Sequence, residues 1–173
     1  MFQDFKPVLL ILLKFTAIYL VLFFGYQAYL TQTEIHGLDP FSQSVAKQVG
    51  FLQNNLGYPT ELTHDAKNLT TGFRVKGIYV SRMVEGCNAI SVMIWFVAFV
   101  VAFYRGIKTL WFILGGLLIL HIMNVLRIMG LNMVLADMPQ YGKIAHDYLF
   151  PAVIYGTVVA LWLIWIKFFA LKK

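Results

Sequence analysis

Apolar positions run unbroken here for lengths that only a membrane helix requires. Residues 8–30, 87–104, 110–135 and 148–170 are almost wholly apolar. About 20 such residues cross a hydrocarbon core of roughly 30 Å as a helix. The only charged residues inside these windows are Lys14, Arg127 and Lys167. The pattern therefore predicts about four transmembrane helices in an all-α integral membrane fold. Lys14 lies near enough to an end for its stem to stay in the apolar layer while the ammonium reaches water. The first window exceeds the apolar run of roughly 7–15 residues typical of a signal peptide. The residues after its core, Gln27-Ala28-Tyr29-Leu30, are too bulky for a cleavage site. It reads as a retained anchor.

A different periodicity governs the stretch between the first two windows, residues 31–86. Phe41, Val45, Val49, Leu52 and Leu56 recur at spacings of three and four, the period of an amphipathic helix. Asp39-Pro40 supplies an N-cap followed by proline at the first helical position, and Gly57 with Pro59 supplies a stop. Such a helix would lie on the membrane surface or cap the outer ends of the spans. From Thr71 to Val84, the residues Phe73, Val75, Tyr79 and Val80 with Gly72 and Gly77 predict a short extended hairpin. No internal repeat or interdomain linker appears, so residues 1–173 read as one membrane domain.

Composition sharpens this picture by exclusion. The chain is 60% hydrophobic and 13% charged, with a mean hydropathy of +0.72. Soluble domains average roughly 45–50% apolar and about 25% charged, and disordered chains need the opposite balance. One cysteine excludes a disulfide framework or a multi-cysteine metal site. The net charge of +6 would suit nucleic acid, but excess Lys and Arg also mark the cytoplasmic ends of membrane spans. Lys6, Lys14, Arg105, Lys108, Lys167, Lys172 and Lys173 share one side if the chain crosses four times. Both termini are then expected in the cytoplasm, with residues 31–86 and 136–147 outside. No nucleic-acid partner is expected.

That topology brings together three residues far apart in sequence. Cys87 opens the second window at the outer face. Arg127 lies about 25 Å up the third by the helical rise, and His146 precedes the fourth at the same face. A helix N-terminus and an adjacent cation both favour a thiolate. A thiolate, a histidine for proton transfer and a cation for developing oxyanion charge are the parts acyl transfer at a carbonyl needs.

Each residue also has a plainer explanation. A lone cysteine in an apolar segment is most often a small packing residue, and a loop histidine alone says little. Arg127 is harder to dismiss, because charge inside a membrane is expensive and normally functional. His121 competes with His146 for the proton-transfer role. It shares a helical face with Asn124 and Arg127 but lies about 9 Å deeper than Arg127, which suits a supporting or core histidine.

Glu85-Gly86-Cys87-Asn88-Ala89-Ile90 opening one span, Asn124-Val125-Leu126-Arg127-Ile128 near the outer end of the next, and His146 at the start of the last resemble the exosortase/archaeosortase family. The likeness is to its short exosortase F type of Gram-negative bacteria, and it covers roughly Thr71 to the C-terminus. These proteins look like membrane-embedded analogues of sortases. The resemblance implies a cysteine protease or transpeptidase that cleaves C-terminal sorting signals of exported proteins at the outer face of the bacterial inner membrane. Such a signal comprises a short motif, a transmembrane helix and a basic tail. Carried over residue by residue, Cys87 is the nucleophile, Arg127 the orienting or oxyanion-stabilising cation and His146 the acid/base, with Asn124 and Asn88 in support. No cofactor or metal is implied. The expected partners are the exported substrates, membrane lipid and a possible membrane subunit, since longer family members have about eight spans. The family also often places a small residue and then glycine after its cysteine; here Asn88 and Ala89 stand there.

Two other classes stay open on sequence grounds. One is a non-catalytic membrane assembly or scaffold protein of an export system, with Arg127 as an anchor. The other is a metal-dependent hydrolase using His36, His64, His121 or His146. Against the metal reading, no two histidines stand four apart and no His-Glu-x-x-His occurs.

Overall fold

The computed structural model describes residues 2–33 and 37–170, with side chains in the first helix from Lys6 on. His36, Lys172 and Lys173 lie outside the described residues. Helix accounts for 74% of the chain, joined by one small three-stranded sheet.

Helix α1, Phe2–Thr33, leans on α3, Ile90–Ala102. The contact is aromatic: Phe15 meets Phe99 edge-on at 6.4 Å and Tyr19 meets Trp95 at 6.2 Å. Apart from contacts near its C-terminal end, where Tyr26 meets Asn88 and Leu30 is buried, most of α1 is uncovered among the described residues, and Val8, Leu13, Val21 and Phe24 are more than half exposed. Contiguous apolar surface of that extent is foreign to a soluble monomer. Among the described residues three helices are long and apolar enough to cross a membrane: Lys6–Thr33, α4 at Ile107–Asp137, and α5, the helical run Pro139–Ala170.

The expected second span is shorter than its apolar run. Helix α3 has 13 residues, about 20 Å by the helical rise, and starts at Ile90 rather than Cys87. Two local features delay it. The Asn88 side-chain oxygen accepts the Ile90 N–H at 2.9 Å, and Ala89 takes a left-handed φ of 62°. Cys87 therefore precedes the helix by a turn, and the helix dipole, which fades within the first turn, acts on it less than the sequence suggested.

Close packing of helices rests on small residues. A Cβ at Gly116 of α4 would lie 2.2 Å from the Phe96 ring of α3, and one at Gly142 of α5 would lie 2.3 Å from Leu135 of α4. At the end of the bundle that carries residues 103–106 and Ala170, the inner end in the expected topology, the Arg105 guanidinium donates to the Ala170 carbonyl, a cation at a helix C-terminus. At the outer end the expected loop of residues 136–147 is nearly absent. Met138 alone makes the reversal, and Pro139 restarts helical winding at once. The winding of α5 then changes from 3-10 (Pro139–Tyr141) to α and to a π turn at Ala145–Leu149.

The amphipathic helix forms where the pattern put it, as α2, Pro40–Asn55, with Asp39 accepting the Ser42 N–H at 3.0 Å. Its buried side, including Val45, Ala46 and Val49, packs with Val125 and Ile128 of α4 and Phe73 and Met83 of the sheet. It thus caps the outer half of α4. The expected hairpin also forms. Strands β2, Thr70–Val75, and β3, Ile78–Met83, pair antiparallel. Lys76 and Gly77 turn between them with φ of 52° and 80°, the two positive values of a tight hairpin turn. A third strand, β1 at Thr60–Asp65, was not anticipated; it pairs with the other edge of β2. A clasp fixes this sheet to the tip of α4: Lys76 Nζ lies 2.8 Å from Asp137 Oδ1, and the Tyr58 hydroxyl donates to Oδ2 at 2.5 Å. Bonding to the Asp137 carboxylate holds the proton more tightly on both Lys76 and Tyr58, raising each pKa above its ordinary value.

Candidate functional site

Cys87 sits in a turn built by its neighbours. Its N–H donates to the Val84 carbonyl at 3.1 Å, and Gly86 at the third position takes φ of 88°, which a type II turn needs and only glycine adopts freely. Two side chains of α4 grip the far side. Asn124 Nδ2 donates to the Cys87 carbonyl at 3.0 Å and Arg127 Nη2 donates to the same oxygen at 3.3 Å. Asn88, fully buried, ties the turn to the first two helices: its Nδ2 reaches the Tyr26 hydroxyl at 2.8 Å and Ser42 Oγ at 2.9 Å. The backbone at Cys87 is therefore held from three helices at once.

A cavity of about 590 Å³ opens beside this turn, between β3, the outer half of α4 and the first turns of α5. That lies within the roughly 300–1,000 Å³ of small-ligand sites. Cys87, Arg127 and His146 all line it. His146 lies on the π turn of α5, inside a helix rather than in the loop expected for it. Its Nδ1 is 2.9 Å from Asp147 Oδ1, and the pair is open to water at 69% and 40% of the side-chain surface. Hydrogen bonding of Nδ1 to a carboxylate leaves Nε2 as the working nitrogen.

His121 points elsewhere: Nε2 pairs with Gln48 Oε1 of α2 at 2.8 Å, and its ring lies 5.8 Å from Phe41. His64, on β1, bonds Thr71 Oγ1 at 2.9 Å. Among the described residues no group of three or more His, Cys, Asp or Glu side chains could hold a metal ion. Protein-family models, curated proteins and solved structures were compared with the chain. Nothing matches.

Two polar atoms of the grip are buried without a hydrogen-bond partner, Arg127 Nε and Asn124 Oδ1. Each such atom costs about 1–3 kcal/mol. Three residues at the cavity escaped the sequence reading: Asp147, Arg82 and Lys143. Side chains one apart on an α-helix diverge, so nothing in the sequence pairs His146 with Asp147. The π turn, with more residues per turn, narrows that angle. Arg82 and Lys143 are exposed charges, and nothing in the sequence sets them apart from others.

Proposed function

We propose that this chain is a membrane-embedded, sortase-like cysteine protease or transpeptidase that cleaves C-terminal sorting signals of exported proteins. In this reading it is a multi-pass protein of a bacterial inner membrane with cytoplasmic termini, three or four spans and its site at the periplasmic face. The observation that carries the proposal is the shared cavity: Cys87 from a turn, Arg127 from α4 and His146 from α5 line one space. The exosortase resemblance of those residue blocks supports it independently.

The chemistry follows from ordinary acyl transfer. His146 Nε2 takes the thiol proton and the Cys87 sulfur attacks the scissile carbonyl, forming the C–S bond. Charge collects on the carbonyl oxygen, which a guanidinium such as Arg127 stabilises. Collapse breaks the C–N bond, and His146 returns its proton to the leaving amine. The thioester then passes to an acceptor amine or to water, with His146 acting as base and the thiol restored. Asp147 orients the imidazole, as the third member of a nucleophile–base–carboxylate set does.

One observation favours a second reading, an assembly or scaffold protein. Arg127 spends a hydrogen bond on the Cys87 main chain, which an anchoring residue would also do. A thioester trap separates the two. Hydroxylamine should release a processed substrate C-terminus from the wild-type protein and none from Cys87→Ala, which should accumulate precursor with activity down at least about 1,000-fold. Cys87→Ser should be nearly as inactive, because a hydroxyl needs stronger base activation. Processing by Cys87→Ala at the wild-type rate would end the sortase-like reading.

A further inference from the structure

The cavity has an unusual wall. Residues 80–84, five in succession from β3 into the following turn, line it. Successive strand side chains point to opposite faces, so consecutive lining residues put the space along the edge of the strand rather than over one face. β3 is an edge strand among the described residues, the sheet order being β1-β2-β3. The core-facing side of β3 is taken: Met83 is buried and Ser81 Oγ donates to Asn132 Oδ1 of α4 at 2.5 Å. A helix cannot complete a ladder, so the main-chain groups of that edge have no strand to pair with. Val80 is an unpaired extra residue between the pairs Phe73–Ser81 and Arg74–Tyr79. Bulges of this kind recur beside active sites, where they re-aim a strand. The strand leads directly into the Cys87 turn.

The charges in the wall specify the occupant further. Arg82, Arg127 and Lys143 face one carboxylate, Asp147, which is already bonded to His146. Positive charge is in excess. Resting on the sortase-like reading above, we infer that the segment to be cleaved enters as an extended, acidic peptide that adds a strand to the free edge of β3. Its carboxylate lies between Arg82 and Lys143, and the strand direction carries its scissile bond to Cys87. Main-chain pairing supplies affinity and alternate side chains supply selectivity, as in other strand-addition sites. Arg82 is exposed, so a change there tests recognition without disturbing the core.

Peptidyl vinyl sulfones test this on the full-length protein in detergent. The thiolate adds across the vinyl group, forming one C–S bond, and the adjacent carbon takes a proton from water. The probes are acetyl-Thr-Glu-Val-Thr-Ala vinyl sulfone, its Gln and Lys analogues, and versions N-methylated at one amide at a time. Iodoacetamide serves as the peptide-free control. The Glu probe should label Cys87 at least about 10-fold faster than the Lys probe, and Arg82→Glu should reverse that order. N-methylation should slow labelling about 10-fold at alternate amides and little at those between. Equal rates for all three charges, or equal effects of every N-methyl group, while iodoacetamide still alkylates Cys87, would overturn the inference and leave the sortase-like reading standing. No labelling of Cys87 by any reagent would sink that reading, and the inference with it.

Discussion

The two halves of α4 solve the same packing problem with different materials. Its inner half meets α3 and α5 through rings and aliphatic chains. Phe96, Val100, Leu120, Val158 and Trp165 form one buried cluster, with Phe112 4.9 Å from Trp165 and Trp165 5.0 Å from Phe169. Its outer half meets α2 and the sheet, where Val45, Val49, Phe73 and Met83 pack on Val125 and Ile128. There the apolar contacts are interleaved with buried polar side chains. Of the eight buried polar or charged side chains described, only Thr109 belongs to the inner end. The others cluster around α2, the sheet, the Cys87 turn and the outer part of α4. A membrane interior offers no water to a stray donor, and the inner half still buries two, the indole N–H groups of Trp162 and Trp165. The outer part instead bonds polar side chains to one another, as Ser81 to Asn132, Asn132 to Gln53 and Asn88 to Ser42. The candidate site lies at the seam, with Asn124 and Arg127 falling between Leu120 of one cluster and Ile128 of the other.

Breaking the inner half should cost the most stability. Phe96 is fully buried and its ring fills the space that Gly116 leaves open. Phe96→Ala removes those contacts and leaves a void, at about 3–5 kcal/mol. Unfolding by SDS titration of the purified protein would measure it. A loss below about 1 kcal/mol would mean that α3 does not depend on the Phe96–Gly116 fit.

The outer half should yield to loss of a polar group instead. Asn132 is fully buried, accepts from Ser81 and donates to Gln53 Oε1 at 3.3 Å. Gln53 already has its Nε2 buried without a partner. Asn132→Ala would strand Ser81 and Gln53 further, at about 1–3 kcal/mol. Because the lost bonds join β3 and α2 to α4, limited proteolysis should open the sheet region first, leaving the inner helices intact. Cleavage at the inner turn first would contradict the division of labour between the halves.

Much of this arrangement was legible in the sequence, for reasons that can be named. Helix α2 appeared with its bounds because capping is local chemistry: Asp39, Pro40 and Gly57 each mark an end by their own backbone preferences. The hairpin was readable from alternating apolar residues around Lys76-Gly77. Strand β1 was not, because Thr60–Asp65 carries one apolar residue, Leu62, and mostly exposed side chains, so it has no pattern to show. That Cys87, Arg127 and His146 line one cavity was legible because spans of known rise put them at one height. Asp147, Arg82 and Lys143 were missed, because their importance depends on a π turn and on the line of a strand edge. The start of α3 was misplaced for a related reason. Apolar composition cannot register that Ala89 bends the wrong way for a helix.

That residue offers the smallest effect and a sharp test of the seam. Ala89 holds φ of 62° while 5% exposed, a conformation costing an alanine roughly 1–2 kcal/mol. It also stands where the resembled family often has glycine. Ala89→Gly relieves the strain but frees the unfolded chain, at about 0.4–1 kcal/mol, and gives up a buried methyl worth about 0.8 kcal/mol. These contributions nearly cancel, so the variant should unfold within about 0.5 kcal/mol of wild type. Ala89→Val should be clearly destabilised, since a branched side chain tolerates positive φ worst. A loss of 2 kcal/mol or more for glycine, with valine tolerated, would place Ala89 in an ordinary helical or extended conformation. The Cys87 turn would then need a different account.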